Sequence, residues 1–243
     1  FGAALTIGAV FWIYGRDLPS HASLAQYKPP TISRVYSGEG KLIDEFARER
    51  RLFTAAEDIP IVIKQAFISA EDKNFYSHPG YDLRGIVAAA VDAARSRGRM
   101  RGASTITQQV MKNFLLDGSR RAERKIKEII LATRIERTLD KEKILELYLN
   151  EIFLGQNSFG VTAAAQTYFN KTLGELAPHE AAFLASLPKA PSDFHPVRRK
   201  KRLLQRRNYV LREMWQNGYL DENSFLSEKE QPLKSVQNND FAS

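Results

Sequence analysis

Two short polar clusters in this 243-residue chain each set one glutamate among unlike neighbours. The first is Glu71-Asp72-Lys73-Asn74-Phe75-Tyr76-Ser77-His78-Pro79-Gly80, where a carboxylate ends an apolar run and meets aromatics and a histidine. The second is Arg124-Lys125-Ile126-Lys127-Glu128, where a carboxylate sits inside a cationic group. One acid beside apolar surface and one among cations is how a site gives two carboxylates different roles. Between them lies Gly102-Ala103-Ser104-Thr105-Ile106-Thr107-Gln108-Gln109, a polar stretch with no evident core purpose. Together the three imply sugar-transfer chemistry on a substrate that carries phosphate.

Glu71 is the candidate base. A carboxyl at the end of an apolar helix, beside Phe75 and Tyr76 and next to Asp72, is partly desolvated, which raises its affinity for a proton. The bland alternative is a solvated helix-terminal acid. For the second cluster, a 100° step along an expected helix from Ser119 to Leu139 puts Arg124, Lys125 and Glu128 on one arc, with Lys127 flanking and Ile126 and Ile130 opposite. A solvated face held by i,i+4 ion pairs of about 0.3–0.5 kcal/mol each is the structural alternative. Arg120 and Arg121 extend the cationic run, and such an array suits a pyrophosphate leaving group, whose charge grows as the sugar–oxygen bond breaks. His78-Pro79-Gly80 reads first as a turn whose histidine hydrogen-bonds rather than catalyses.

The elements that must position these residues follow from composition and period. At 43% hydrophobic the chain can bury a substantial core, and a formal charge of +8 with pI near 9.6 favours an anionic partner. Zero cysteines exclude disulfides and thiolate metal sites. Phe1 to Tyr14 is uncharged and ends in Trp12, Tyr14 and Arg16, as the end of a membrane span does, so residues 1–16 are expected to be a truncated transmembrane anchor. Residues 17–30 read as a linker closing on Pro29-Pro30. Thr31–Tyr36 and Lys41–Phe46 form an expected β-hairpin about Ser37-Gly38-Glu39-Gly40. From Pro60 to about Leu220 the period is helical, including an apolar helix over Leu83–Ala94 and an Arg/Gly-rich segment from Arg95 to Gly102. Asp140 is an expected N-cap for a helix that turns Ile144, Leu145, Tyr148, Leu149 and Ile152 inward. Helices are expected at His179–Leu187 and at Arg199–Asn217, the latter closed by Gly218. From Ser224 the tail reads as polar and irregular, and residues 221–243 as a linker.

Five motifs stand in order: Glu71-Asp72-x-x-Phe75-x-x-His78-x-Gly80; Gly102-x-Ser104-Thr105-Ile106-Thr107-Gln108-Gln109; Arg124-Lys125-x-Lys127-Glu128; Lys143-Ile144-Leu145-x-x-Tyr148-Leu149-Asn150; and Arg206-Arg207-x-x-Val210-Leu211-x-x-Met214. Through them the chain resembles the family 51 glycosyltransferase domain of class A penicillin-binding proteins and monofunctional peptidoglycan glycosyltransferases, over about Ser33 to Gly218. The resemblance implies a mainly α, lysozyme-like domain (residues 31–220) with a small membrane-dipping lobe. It implies polymerisation of lipid II into glycan strands on the outer, periplasmic face of the bacterial cytoplasmic membrane. Glu71 would deprotonate the acceptor's GlcNAc 4-hydroxyl, and Glu128 would organise the donor diphosphate or a bound metal. Arg124, Lys125, Lys127 and Lys112 would contact the diphosphate. Ser104, Thr105, Thr107, Gln108 and Gln109 would line the cleft, Asp72, Phe75 and His78 complete its substrate-binding set, Tyr148 and Asn150 brace it, and Arg206 and Arg207 serve packing or the cleft floor. No cofactor is obligatory and no metal ligand is assigned, though a divalent cation (Mg2+ or Mn2+) has room to act. The implied partners are lipid II, the lipid-linked chain, the cytoplasmic membrane and other cell-wall synthesis proteins, with no nucleic acid.

Other classes fit less well. A lytic peptidoglycan hydrolase shares the fold and a catalytic glutamate, but has no pyrophosphate for an Arg124–Glu128 cluster to hold. A nucleic-acid or membrane-binding module is suggested by pI and by Arg198-Arg199-Lys200-Lys201-Arg202, which reads more simply as a solvated helix start. Ser186-Leu187-Pro188-Lys189 matches the S-x-x-K of penicillin-binding transpeptidases, but Pro188 breaks the turn that would set lysine beside serine. A transpeptidase domain would therefore lie beyond Ser243.

Overall fold

The computed structural model describes residues 33–36, 42–46, 50–83, 85, 87, 104–115, 121–189 and 199–236, with Tyr14, Arg16 and Leu18 as single positions. The expected anchor (but for Tyr14 and Arg16), the expected hairpin turn and most of the expected Leu83–Ala94 helix lie outside them. The chain is mainly helical and divides into two compact units, one of residues 1–27 and 74–148 and one of 28–73 and 149–243. No described helix is long and apolar enough to cross a membrane.

In the second unit, β1 (Ser33–Tyr36) pairs antiparallel with β2 (Leu42–Phe46), Ser33 opposite Phe46, with a register shift between Val35 and Tyr36. A short β3 (Arg50–Arg51) lies parallel to β4 (Ser158–Phe159). The core is helical. α1 (Ile61–Glu71) starts after Pro60 and buries Ile63, Ala66, Phe67 and Ile68. It packs on α6 (Pro178–Leu184) and α7 (Lys200–Gln216), which also pack on each other. α5 (Val161–Phe169) lies against α6 and ends at Asn170 in the left-handed region, φ +54°. Gly218, at φ +76°, closes α7: its N–H meets Trp215 O and that of Tyr219 meets Met214 O, the paired bonds of a Schellman terminus.

The tail expected to be irregular from Ser224 instead forms α8 (Glu222–Glu230), packed on α6 and α7. Its sequence carries no apolar stripe, so local pattern conceals it. The helix exists because both ends are tied: Asp221 Oδ1 accepts from Ser224 N at the start, and buried Arg207 donates to Lys229 O and Gln231 O at the end. Phe225 stacks on Trp215 at 5.2 Å between centroids.

In the first unit, α2 (Ile106–Leu115) packs on α3 (Arg121–Ile135). α4 (Lys141–Glu151) begins there, with Asp140 Oδ1 accepting from Lys143 N as the expected N-cap. Its Ile144, Leu145, Tyr148 and Leu149 are buried as expected. Against the expected Ser119–Leu139, α3 ends at Ile135, and the expected start at Ser119 lies outside the described residues.

Candidate active site

The residues around Glu128 are organised by the start of α2. Thr105 caps that helix: its Oγ1 accepts from Gln108 N at 3.2 Å and itself donates to Gly80 O at 2.8 Å. Gln108 Nε2 also donates to Gly80 O, at 3.4 Å. With its amide nitrogen committed to that carbonyl, Gln108 turns Oε1 to Lys125, whose Nζ donates to it at 2.7 Å. The same ammonium reaches Ser104 Oγ at 2.8 Å and Glu128 Oε2 at 3.2 Å. Lys125 is thus held by one hydroxyl, one amide and one carboxylate, three acceptors for its three N–H bonds.

Glu128 is 6% exposed, so it is not part of a solvated face, while Ile126 is half-buried like Arg124, Lys125 and Lys127. The helical arc orders these residues correctly, but α2 packs against the arc that carries the carboxylate. Burial of an ionised group needs partners, and Arg124 Nε at 3.5 Å from Oε1 joins Lys125 to supply them. Lys127 turns the other way and pairs with Glu123 at 2.6 Å. Lys112 on α2 is exposed and Gln109 half-buried.

The Phe75–Gly80 loop is fixed by a second network that the motifs do not reveal. Lys141 Nζ donates to His78 O and to Glu136 Oε1, each at 2.7 Å, and lies 4.6 Å from the centre of the Phe75 ring. Thr107, fully buried, donates from Oγ1 to the same Glu136 oxygen at 2.6 Å. Thr105 and Thr107, expected to line a cleft, therefore engage the protein itself. His78 is buried and accepts from Gly80 N through Nδ1 at 3.1 Å, so it forms the turn as expected. Gly80, at φ +91°, lies so close to α3 that a Cβ would meet Ala132 O at 2.6 Å. Glu136 and Lys141 were hidden from sequence reading, because their partners are 29 and 63 residues away.

Glu71 belongs to the other unit, at the last position of α1. Its side chain is 15% exposed, and Oε1 lies 3.8 Å from Arg206 Nη2 of α7. Asp72, buried, caps the helix end with its N–H on Ile68 O at 2.8 Å. Asn150 is buried and binds the backbone of Thr54 on both edges, Oδ1 accepting at 2.8 Å and Nδ2 donating at 2.9 Å. Tyr148 is buried, and Lys143 pairs with Glu146. Ser186 is fully buried and donates to Ala182 O, so Ser186–Lys189 has no accessible nucleophile.

A cavity of about 580 Å³ beside α6, lined by Phe169, Lys171, Glu180, Lys200 and the 233–236 segment, contains neither glutamate. No group of three His, Cys, Asp or Glu among the described residues could hold a metal ion. Glu128's two oxygens face Arg124 and Lys125.

The family model described as transglycosylase matches residues 39–215. Penicillin-binding protein 1A of Rickettsia felis is 50% identical over 92% of the chain and 29% of its own length. That of Aquifex aeolicus is 42% identical over 98% of the chain and 33% of its own length. The crystal structure of penicillin-binding protein 1A from Haemophilus influenzae superposes with a TM-score of 0.52 at 29% identity, covering 87% of this chain and 22% of that one. The chain spans about a third of these relatives or less.

Proposed function

Because the chain belongs to the transglycosylase family, we propose that it is a peptidoglycan glycosyltransferase that polymerises lipid II by inverting transfer. The observation that carries this reading is the caged Lys125: a cation held by Ser104, Gln108 and buried Glu128, with Arg124 on the same carboxylate. A site for neutral glycan has no use for such a group, whereas a diphosphate leaving group has.

In the proposed reaction Glu71 takes the proton from the 4-hydroxyl of the acceptor's GlcNAc as that oxygen bonds to the anomeric carbon of the donor chain's lipid-linked sugar. The bond from that carbon to the diphosphate oxygen breaks with its electron pair. Configuration inverts from α to β, and undecaprenyl pyrophosphate leaves. Arg124, Lys125 and Lys112 meet the growing negative charge, and Lys127 joins them by exchanging Glu123 for phosphate. Glu128 places Arg124 and Lys125 rather than moving a proton. Thr105, Thr107 and Gln108 act through the loop at Gly80. No step is derived through a divalent cation. The same reading includes a lysozyme-like fold, a membrane anchor over 1–16, a linker over 17–30, a catalytic domain over 31–220 on the outer membrane face, and a C-terminal connection toward a transpeptidase domain.

Incubation with labelled lipid II in detergent tests this. Glycan polymer with release of undecaprenyl pyrophosphate is the expected result. Cleavage of preformed glycan without polymer would replace it with the hydrolase reading.

A further inference from the structure

We propose that Arg206 is a positioning residue for Glu71: its guanidinium fixes the carboxylate at the end of α1 and holds it ionised to receive a proton. The inference rests on the reading of Glu71 as the general base. α7 packs on α1 and brings Arg206 Nη2 to 3.3 Å from Ala70 O and 3.8 Å from Glu71 Oε1. Ala70 O is one of the last four carbonyls of α1, which lack intrahelical donors, so one side chain both closes the helix and meets its terminal acid. A guanidinium can serve a carbonyl and a carboxylate together, because its donors are fixed in a planar fork.

The cation is itself held still. Arg206 Cζ lies 4.7 Å from the centre of the Tyr209 ring, on the same helix. Its Nε is buried without a hydrogen-bond partner among the described residues, so no rival acceptor draws that edge away. The two side chains are 13% and 15% exposed, which limits solvent screening. The packed helices also carry Lys64 on α1 and Lys200, Lys201, Arg202, Arg212 and Glu213 on α7, while Arg207 engages the end of α8, His179 pairs with Glu228 and Glu180 with Lys171. Asp72, buried and adjacent in the chain, opposes ionisation of Glu71 as a like charge, and Arg206 offsets it.

The test is the pH–rate profile of polymerisation for wild type, Arg206→Gln and Arg206→Lys, with unfolding temperatures measured alongside. Removing the cation should move the acid limb up by about one pH unit, and lysine should return it toward wild type. A lowered plateau with an unmoved limb in Arg206→Gln, or a limb in Arg206→Lys moved as far as in Arg206→Gln, overturns the proposal and leaves a helix cap. If Arg206→Gln does not fold, Tyr209→Ala keeps the charge but removes its support. A smaller upward shift is then expected, and an unmoved limb again overturns the proposal. Glu71→Gln separates the two claims. If it polymerises like wild type, the base assignment falls; if it is inactive while the limb stays unmoved in Arg206→Gln, only the positioning role falls.

Discussion

Replacing Gly80 with alanine should unfold the chain at lower temperature and disturb the Lys125 cage, by amounts that can be worked from the loop's geometry. The new Cβ would lie 2.6 Å from Ala132 O, against 3.4 Å for ordinary contact, so loop and helix must part by the difference of 0.8 Å. Gly80 also holds φ +91°, which costs an L residue about 1–2 kcal/mol. Parting by that much breaks the 2.8 Å bond from Thr105 Oγ1 and weakens the 3.4 Å bond from Gln108 Nε2. Losing one such bond adds about 1 kcal/mol. The sum, about 2–3 kcal/mol, lowers the melting temperature by roughly 5–10 °C for a chain of this size. Calorimetry against Gly174→Ala gives the control, because nothing lies within 4 Å of a Cβ there. A Gly80→Ala protein that melts within about 2 °C of wild type and polymerises normally would refute the reasoning.

Three other expectations come from the same geometry. Lys125→Met should reduce polymerisation by about 10²–10³-fold and lower the melting temperature, because buried Glu128 keeps only Arg124 as a cation partner; a loss of activity below about tenfold would remove Lys125 from the donor site. Arg207→Met should cost about 3 kcal/mol, since it removes charged donors to Lys229 O and Gln231 O, and should speed proteolysis within 218–231; unchanged cleavage would show α8 held by other means. The Ser224 backbone N–H holds the Asp221 carboxyl below its usual range, so its contribution is present above the unfolded value near ~3.9 and is lost as pH falls through the lower folded value. Exchange of the Ser224 amide, corrected for intrinsic rate, should therefore stay slow from neutral pH down to about 4 and then rise, whereas Asp221→Ala should show the fast rate at neutral pH; equal protection in both proteins would contradict the cap.

What the sequence makes legible here is local. α4 could be bounded from the Asp140 cap and its apolar period because both act within a few residues. The cationic cluster could be found because Arg124, Lys125 and Glu128 share one helical arc. What escapes is whatever depends on a distant partner. The burial of Glu128 is decided by α2, and the roles of Thr105 and Thr107 by Gly80 and Glu136. α8 has only Phe225 and Leu226 as large apolar residues and is stabilised by Arg207 and by Trp215 against Phe225, partners its own pattern does not announce. Arg206 reads as a packing residue until α7 is laid on α1 and its reach to Glu71 can be measured.

The most direct test of the central claim is polymerisation of labelled lipid II by the wild type, Glu71→Gln and Glu128→Gln under identical conditions. Polymer from the wild type, none from Glu71→Gln and a partial loss in Glu128→Gln is the predicted result. Full activity in Glu71→Gln would contradict the account, because the proton would then have another acceptor.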